Sequence, residues 1–244
     1  MAAHGRPTPQ PEEPAGERPR FQDRLPDDYP HADINPFVRS HREWGRTLLT
    51  ATEAWENRRA WSARFGEDRP LHVEIGSGNG FFLRELARRN PSWNVLGIEI
   101  RYKRVVLCAK KIDGAGLENA LIARYHAAYL DDLFAPGSLA GLYVNHPDPW
   151  PKIRHEKNRL ISRWFLEDVV RLLAPGGVFR LKSDFADNIG RVPKLLDGLP
   201  LEITGRSDDV ITGTAPWPDD IETNYQKKFR LKGEPVYAIE LRRI

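Results

Sequence analysis

The sequence predicts an α/β fold in which a mostly parallel sheet carries helices on both faces. After Pro70, short apolar runs alternate with stretches of helical periodicity, and this alternation is typical of parallel strands joined by helical crossovers. A glycine-rich turn lies between the first of these runs and the helical stretch that follows it. Two later apolar runs are separated by a polar segment, which predicts an antiparallel C-terminal pair at the sheet edge.

The individual elements follow from local patterns in chain order. Thr50 begins a capping-box pattern, and the apolar residues that follow at helical spacing predict a leading helix that ends at Gly66. Gly114 and Pro175 each end a later helical stretch. The predicted strands are 71–75, 95–100, 120–125, 142–145, 178–182, 201–204 and 236–241, and the predicted helices are 81–89, 102–112 and 160–173.

Composition limits the class of protein. The 244 residues are 40% hydrophobic and 29% charged, which is enough for one large core or two small ones. No run of about 18 apolar residues occurs, so we expect no membrane-spanning helix. Cys108 is the one cysteine, which excludes a disulfide within the chain, and no spacing of His, Asp and Glu predicts a metal site. We expect a cytoplasmic protein; the sequence is compatible with a monomer or a homodimer.

The first 40 residues differ in composition from the rest of the chain. Residues 1–36 hold eight of the 20 prolines, and residues 1–30 have few large apolar side chains. Such a segment cannot bury enough surface to offset the entropy lost on ordering it. We predict a disordered tail over residues 1–40 and one domain over residues 41–244, which includes the leading helix.

The glycine-rich turn after the first predicted strand suggests a cofactor site. Gly76, Gly78 and Gly80 let the backbone turn sharply and let a ligand approach it closely. The spacing departs from the dinucleotide pattern G-x-G-x-x-G, because the third glycine arrives one residue early. Glu74 would repel a pyrophosphate but attract an ammonium or sulfonium group. We therefore predict that Glu74 and the three glycines bind S-adenosylmethionine; the alternative is a tight turn beside a salt-bridging acid.

A second acid, Glu99, lies near the end of the strand predicted at 95–100. An acid at the end of the second strand can accept hydrogen bonds from both hydroxyls of a ribose, in NAD and S-adenosylmethionine sites alike. Glu99 therefore supports an adenosine cofactor without choosing between the two.

A segment rich in proline and basic residues follows the fourth predicted strand, at the end of the sheet where ligands bind in open α/β folds. Two prolines flank Asp148 and stiffen the backbone that would hold its carboxylate and the Trp150 ring against a base. The basic run that would contact phosphates consists of Lys152, Arg154, His155, Lys157 and Arg159. This pattern is typical of a site for an unstacked nucleotide; for Trp150 the alternative is core packing.

Together these motifs resemble the TrmB family of tRNA (guanine-N7)-methyltransferases. The resemblance covers residues 60–244 and rests on E-I-G-S-G-N-G at 74–80, P-D-P-W-P-K-x-R-H-x-K-x-R-L at 147–160, Lys182-Ser183-Asp184 and Thr223-Asn224-Tyr225. It implies a Rossmann-like class I S-adenosylmethionine-dependent methyltransferase that acts on a guanosine in the variable loop of tRNA. It also implies cofactor-side acids at Glu74, Glu99 and Asp148, a catalytic role for Asp148, an RNA-contact strip over 154–159, and substrate contacts at Trp150, Lys152, Asp184, Thr223, Asn224 and Tyr225.

Guanine N7 carries a lone pair and no proton, so its methylation requires no general base. We expect Asp148 to accept hydrogen bonds from guanine N1–H and N2–H, which leaves N7 free. An arginine on N7 and O6, the usual reader of guanine, would block the nucleophile.

The sequence departs from the family pattern at three positions. Ala127 stands where the family usually carries an acid at the cofactor adenine, and Gln226 replaces the Glu of a T-x-x-E motif. We expect Gln226 to contact guanine more weakly than a carboxylate would. His146 stands where the family commonly has an apolar residue, and we interpret it as a hydrogen-bonded loop histidine. Two alternatives stay open: a methyltransferase for an exocyclic amine or another RNA target, and an RNA-binding homologue with weak or no catalysis.

Overall fold

The computed structural model describes residues 35–244 with the exception of 153 and 155–157. Residues 1–34 of the tail predicted over 1–40 therefore lie outside the described residues. In the part that is described, the Asn35 side chain caps a short helix, α1 (Pro36–Ser40), and Val38 of that helix is buried. The folded chain thus extends a few residues beyond the predicted domain start at 41.

The predicted leading helix is two short helices, α2 (Ala51–Glu56) and α3 (Trp61–Phe65). The capping box is confirmed, because the Glu53 N–H donates to Thr50 Oγ1 at 3.0 Å and the Thr50 N–H donates to Glu53 Oε2 at 2.7 Å. The prediction of one continuous helix is wrong. Arg59 has a φ of 62°, and its N–H donates to the carbonyl oxygen of Leu133 at 3.1 Å, so a tertiary hydrogen bond replaces the helical one.

Eight strands form one sheet: β1 (Leu48–Leu49), β2 (Leu71–Ile75), β3 (Asn94–Glu99), β4 (Ala120–Arg124), β5 (Leu139–Asn145), β6 (Leu173–Ser183), β7 (Leu201–Ser207) and β8 (Tyr237–Arg243). Their order is β1-β4-β3-β2-β5-β6-β8-β7, and β8 runs antiparallel to both of its neighbours while the other pairs are parallel. The predicted parallel sheet with an antiparallel C-terminal edge is confirmed. The two-residue strand β1 is too short to show a period and was not predicted.

Helices cover both faces of this sheet. The remaining ones are α4 (Phe81–Arg89), α5 (Tyr102–Asp113), α6 (Leu130–Leu133), α7 (Arg163–Leu172), α8 (Ala186–Gly190), α9 (Val192–Leu195) and α10 (Asn224–Lys232). Leu96 and Ile98 of β3 belong to the apolar cluster that contains α7 residues, whereas Val95 belongs to the cluster of α4 and α5. Neighbouring strand residues thus point to opposite faces. In the described part of the chain, no helix has the length and apolar composition needed to cross a lipid bilayer.

The order of the strands in the sheet indicates at which end of the fold a ligand would bind. From β2 the chain builds outward through β3 and β4 on one side, and then returns to add β5 and β6 on the other. Ligands in open α/β sheets bind outside the carboxyl ends of the strands at such a reversal.

Candidate active site

A cavity of about 560 Å³ lies outside the carboxyl ends of β2, β3 and β5. Its volume is within the range of small-molecule sites. The cavity brings together most of the predicted site residues, namely Glu74, Gly76, Gly78, Glu99, Asp148, Trp150, Thr223, Asn224 and Tyr225. Five others do not line it, namely Gly80, Lys152, Arg154, Arg159 and Asp184. His155 and Lys157 lie outside the described residues.

The three glycines of the turn have two different functions. Gly76 and Gly78 adopt φ values of 73° and 54° and line the cavity, so their backbone can approach a ligand without a Cβ in the way. Gly80 does not line the cavity. A Cβ on Gly80 would lie 2.4 Å from Cys108 Sγ, which means that this glycine lets α4 pack against α5. Gly80, predicted to bind the cofactor, therefore has a packing role in this structure, where it lies against the buried Cys108.

Glu74 is buried near the carboxyl end of β2 and lines the cavity. Its Oε1 accepts a hydrogen bond from Asn145 Nδ2 at 3.1 Å, whereas Oε2 has no hydrogen-bond partner among the described residues. Burial raises the pKa of Glu74 from 4.5 to about 7, against the lowering effect of the hydrogen bond from Asn145. A buried acid with an unused oxygen fits a cationic ligand group, which would hold the carboxylate in its ionised form. The ammonium and sulfonium groups of S-adenosylmethionine meet that requirement.

Glu99 joins the glycine turn to the end of β3. Its Oε2 accepts from the Gly78 N–H at 3.1 Å, and its Oε1 accepts from the Ile100 and Arg101 N–H groups at 2.9 and 3.0 Å. A carboxylate offers about four acceptor positions, and these three bonds leave one of them, on Oε2. In this conformation Glu99 therefore has room for one ribose hydroxyl rather than the two predicted.

The Pro-Asp-Pro-Trp loop also lines the cavity, through Pro147, Asp148 and Trp150. Asp148 is exposed, and Trp150 is half-buried with a φ of 39°. Arg159 holds the loop in place, because its Nε donates to the Trp150 carbonyl oxygen at 3.2 Å and its Nη1 pairs with Asp187. The prediction that Arg159 contacts RNA is wrong for this structure, since its side chain is 8% exposed and serves as an internal clamp.

The remaining basic run lies outside the cavity. Lys152 and Arg154 are both exposed, in the position expected for charges that meet a polyanion. Among the described residues, no cluster of three or more His, Cys, Asp and Glu side chains could hold a metal ion.

Three hydrogen-bonded side chains, Asp184, His146 and Thr223, link three segments of the chain at the start of α10. His146 Nδ1 lies 3.2 Å from Asp184 Oδ1, and His146 Nε2 lies 2.9 Å from Thr223 Oγ1. Burial raises the pKa of Asp184, but the hydrogen bond from His146 and other contacts lower it more, so the net shift is downward. The interpretation of His146 as a hydrogen-bonded loop histidine is confirmed. Asp184 binds His146 beside the cavity, and its contact with substrate stays a prediction.

Sequence reasoning missed several residues that line the cavity, among them Asn145 and Lys228. Asn145 ends β5 and binds Glu74 across the β2–β5 pair, a contact that two neighbouring parallel strands could have suggested. Lys228 lies one helical turn after Asn224, and its Nζ is 5.3 Å from the centre of the Tyr225 ring. Helical spacing alone would have brought Lys228 next to the predicted residue Asn224.

The family model described as "Putative methyltransferase" matches residues 68–239. The chain belongs to this methyltransferase family. It is 35% identical to the tRNA (guanine-N(7)-)-methyltransferase of Levilactobacillus brevis over 73% of this chain and 82% of that protein. The enzymes of the same name from Bacillus subtilis and Geobacillus kaustophilus are 33% and 35% identical; each match covers 74% of this chain, and 84% and 82% of the relative, respectively.

Solved structures agree with the methyltransferase fold. The 16S rRNA methyltransferase KamB superposes with a TM-score of 0.58 at 16% identity, covering 76% of this chain and 93% of KamB. The aminoglycoside resistance methyltransferase NpmB1 gives a TM-score of 0.53 at 20% identity, covering 75% of this chain and 92% of NpmB1. The fold is the Rossmann-like fold of class I S-adenosylmethionine-dependent methyltransferases.

Two of the departures from the methyltransferase pattern have different structural outcomes. Ala127 lines the cavity, so the missing acid leaves an apolar surface there. Gln226 is 2% exposed and does not line the cavity; its Oε1 accepts from Lys182 Nζ at 3.1 Å and from the Thr223 N–H at 3.4 Å. The expectation that Gln226 contacts guanine is therefore wrong, because its amide completes a capping box at the start of α10.

Proposed function

We propose that this protein transfers a methyl group from S-adenosylmethionine to N7 of a guanosine in the variable loop of tRNA, in the cytoplasm. The observation that carries the proposal is that one cavity is lined both by the acids Glu74 and Glu99 and by Asp148 and Trp150. Relatives at up to 35% identity that bear the name tRNA (guanine-N(7)-)-methyltransferase support the same reaction.

On the cofactor side, the buried Glu74 pairs with the positive charge of the ligand, and Asn145 holds its carboxylate in place. Glu99 offers one acceptor position to a ribose hydroxyl, and Gly76 and Gly78 give the backbone close access. S-adenosylmethionine supplies an electrophilic methyl group on a cationic sulfur, which departs as a neutral thioether when the bond to N7 forms. The chain's residues bind and orient the reactants around that step.

On the substrate side, Asp148 accepts from guanine N1–H and N2–H and turns N7 toward the cofactor. No group needs to remove a proton, because the nucleophile is an unprotonated lone pair. Orientation of two bound reactants can contribute about 7 to 11 kcal/mol, so positioning is sufficient as the main source of rate acceleration. Trp150 forms a wall of the base pocket, with its backbone fixed by Arg159.

Phosphate contacts come from exposed basic residues around the cavity. Lys152 and Arg154 lie on the loop that follows Trp150, and Lys228 projects from α10 beside Tyr225. Binding through such contacts releases counterions, so the affinity for tRNA should fall steeply as salt concentration rises. A salt-independent affinity would contradict a phosphate-binding role for this surface.

The test is transfer of a labelled methyl group from S-adenosylmethionine to unmodified tRNA, with mass spectrometry of the digested nucleosides. We expect 7-methylguanosine, and we expect Asp148→Asn to lower kcat/KM at least tenfold because one acceptor is lost from the base edge. Asp208→Asn, at an exposed position that does not line the cavity, is the matched control and should behave as wild type. N6-methyladenosine or N2-methylguanosine as the product would overturn the proposal, as would cofactor binding without any transfer to tRNA.

A further inference from the structure

The hydrogen-bond chain from Asp184 through His146 to Thr223 has a defined direction. The lowered pKa of Asp184 keeps it an ionised carboxylate, which can only accept. His146 Nδ1 must therefore carry the proton that lies between the two groups, 3.2 Å apart. In the neutral imidazole, Nε2 is then an acceptor, and the Thr223 hydroxyl donates to it at 2.9 Å.

Thr223 has a second fixed partner. Its Oγ1 accepts from the Gln226 N–H at 3.0 Å, because Thr223 is the N-cap of α10. The hydroxyl proton and one lone pair are thus both used inside the protein. One lone pair is left, and Thr223 lines the cavity. The hydroxyl can therefore act toward a bound base only as an acceptor.

The imidazole that imposes this direction is itself held firmly. The side chain of His146 is 3% exposed, and its ring lies 5.5 Å from the Tyr225 ring and 5.7 Å from the Phe229 ring, measured between centroids. Its backbone has a φ of 50°, in a region where histidine and asparagine are among the residues most often found. The charged groups near it are Asp184, Lys228 beside Tyr225, and Lys232, which acts on Asp184.

We propose that His146 is a positioning residue for base specificity, which fixes the Thr223 hydroxyl as a hydrogen-bond acceptor for the 2-amino group of the target guanine. The inference rests on the proposed function. In that arrangement Asp148 takes N1–H and one hydrogen of the 2-amino group, and Thr223 takes the other. Adenine, which has no amino group at that position, leaves the Thr223 acceptor unpaired.

The test compares tRNA carrying guanosine or inosine at the methylated position, since inosine lacks the 2-amino group. The quantity measured is the ratio of kcat/KM for the two substrates. His146→Asn keeps a donor for Asp184 but removes the acceptor for Thr223, and it should lower the guanosine preference about three- to tenfold, the range for one hydrogen bond. His146→Gln can place an oxygen near the position of Nε2 and should keep the preference within about twofold of wild type.

The outcomes separate this inference from the proposed function. If wild type forms no 7-methylguanosine, the proposed function fails and the inference fails with it. If wild type forms 7-methylguanosine and His146→Asn keeps the full guanosine preference, the inference alone is overturned. Cofactor affinity and melting temperature check that the variants fold. Should His146→Asn not fold, Thr223→Val against Thr223→Ser gives the same comparison, because serine keeps both the cap and the hydroxyl.

Discussion

Replacing Glu74 with glutamine tests the electrostatics of the cofactor cavity. Glu74 is buried, and burial raises its pKa from 4.5 to about 7. Because the folded protein binds this proton more tightly than the unfolded chain does, the free energy of unfolding falls as pH rises from 4.5 to about 7. The shift corresponds to about 3 kcal/mol of destabilisation, fully present above about pH 7 and absent below the unfolded pKa.

Glutamine keeps the size of the side chain and carries no charge, so Glu74→Gln removes this loss. The difference in free energy of unfolding between variant and wild type should change by up to about 3 kcal/mol between about pH 5 and about pH 8, in favour of the variant at the higher pH. Urea unfolding at both pH values measures it, and Glu118→Gln, at an exposed position that does not line the cavity, is the control for loss of one negative charge. A difference that stays constant with pH would refute ionisation of a buried Glu74 in this range.

The same variant should bind S-adenosylmethionine more weakly, although it is more stable. In wild type, affinity should rise about tenfold per pH unit up to about pH 7 and then level off, because the ionised carboxylate pairs with the cationic ligand. In Glu74→Gln the affinity should be low and independent of pH over the same range. Calorimetry in buffers of different ionisation enthalpy would also detect proton release on binding by wild type and none by the variant. Equal affinities at about pH 8 would refute Glu74 as the counter-ion.

Two further pairs of variants test packing and RNA contact. Gly80→Ala should lower the free energy of unfolding by about 3 kcal/mol in urea, because the new Cβ would clash with Cys108 and the positive φ of Gly80 also disfavours alanine. Gly116→Ala should lower it by about 1 kcal/mol, because the positive φ alone disfavours alanine there. Equal losses would contradict the packing role of Gly80. Arg159→Ala should lower stability by about 2 kcal/mol, because it removes a buried guanidinium that binds the Trp150 carbonyl oxygen and pairs with the half-exposed Asp187. Lys152→Ala should leave stability within about 0.5 kcal/mol of wild type but weaken tRNA binding and reduce its salt dependence by about one unit of slope. If Arg159→Ala instead weakened tRNA binding without lowering stability, Arg159 would contact RNA as first predicted.

The fold could be predicted from the sequence wherever local pattern and tertiary context agree. The strand at Leu71–Ile75 and the helix at Phe81–Arg89 have the predicted bounds, because a buried apolar run and a glycine turn coincide with the real boundary. The break between α2 and α3 could not be predicted, since it depends on a hydrogen bond from Arg59 to Leu133, far along the chain. Strand β1 gains its stability from pairing with β4, which no two-residue pattern can indicate.

The residues of the candidate site could likewise be predicted only where the local sequence pattern agrees with the tertiary structure. Glu74, Glu99 and Asp148 were predicted because each follows or ends a strand in a position with its own chemical logic, and all three line one cavity. Arg159 was misassigned because a basic run does not reveal which of its members turns inward to pair with Asp187. Burial of a single charge depends on the path of the loop, which composition and spacing leave open.

Gln226 places a neutral amide next to the buried ammonium of Lys182, so the charge of Lys182 must be balanced by another residue. Lys182 is 1% exposed, burial lowers its pKa, and a buried ammonium without a carboxylate is costly. Asp220 supplies that charge: its Oδ1 lies 2.6 Å from Lys182 Nζ and accepts from Trp217 Nε1 at 3.0 Å. Because Asp220 neutralises Lys182, Gln226 can complete the capping box with Thr223 through its neutral amide oxygen. The replacement of a carboxylate at 226 is thus compensated within the fold, which argues for an intact substrate pocket rather than a decayed one.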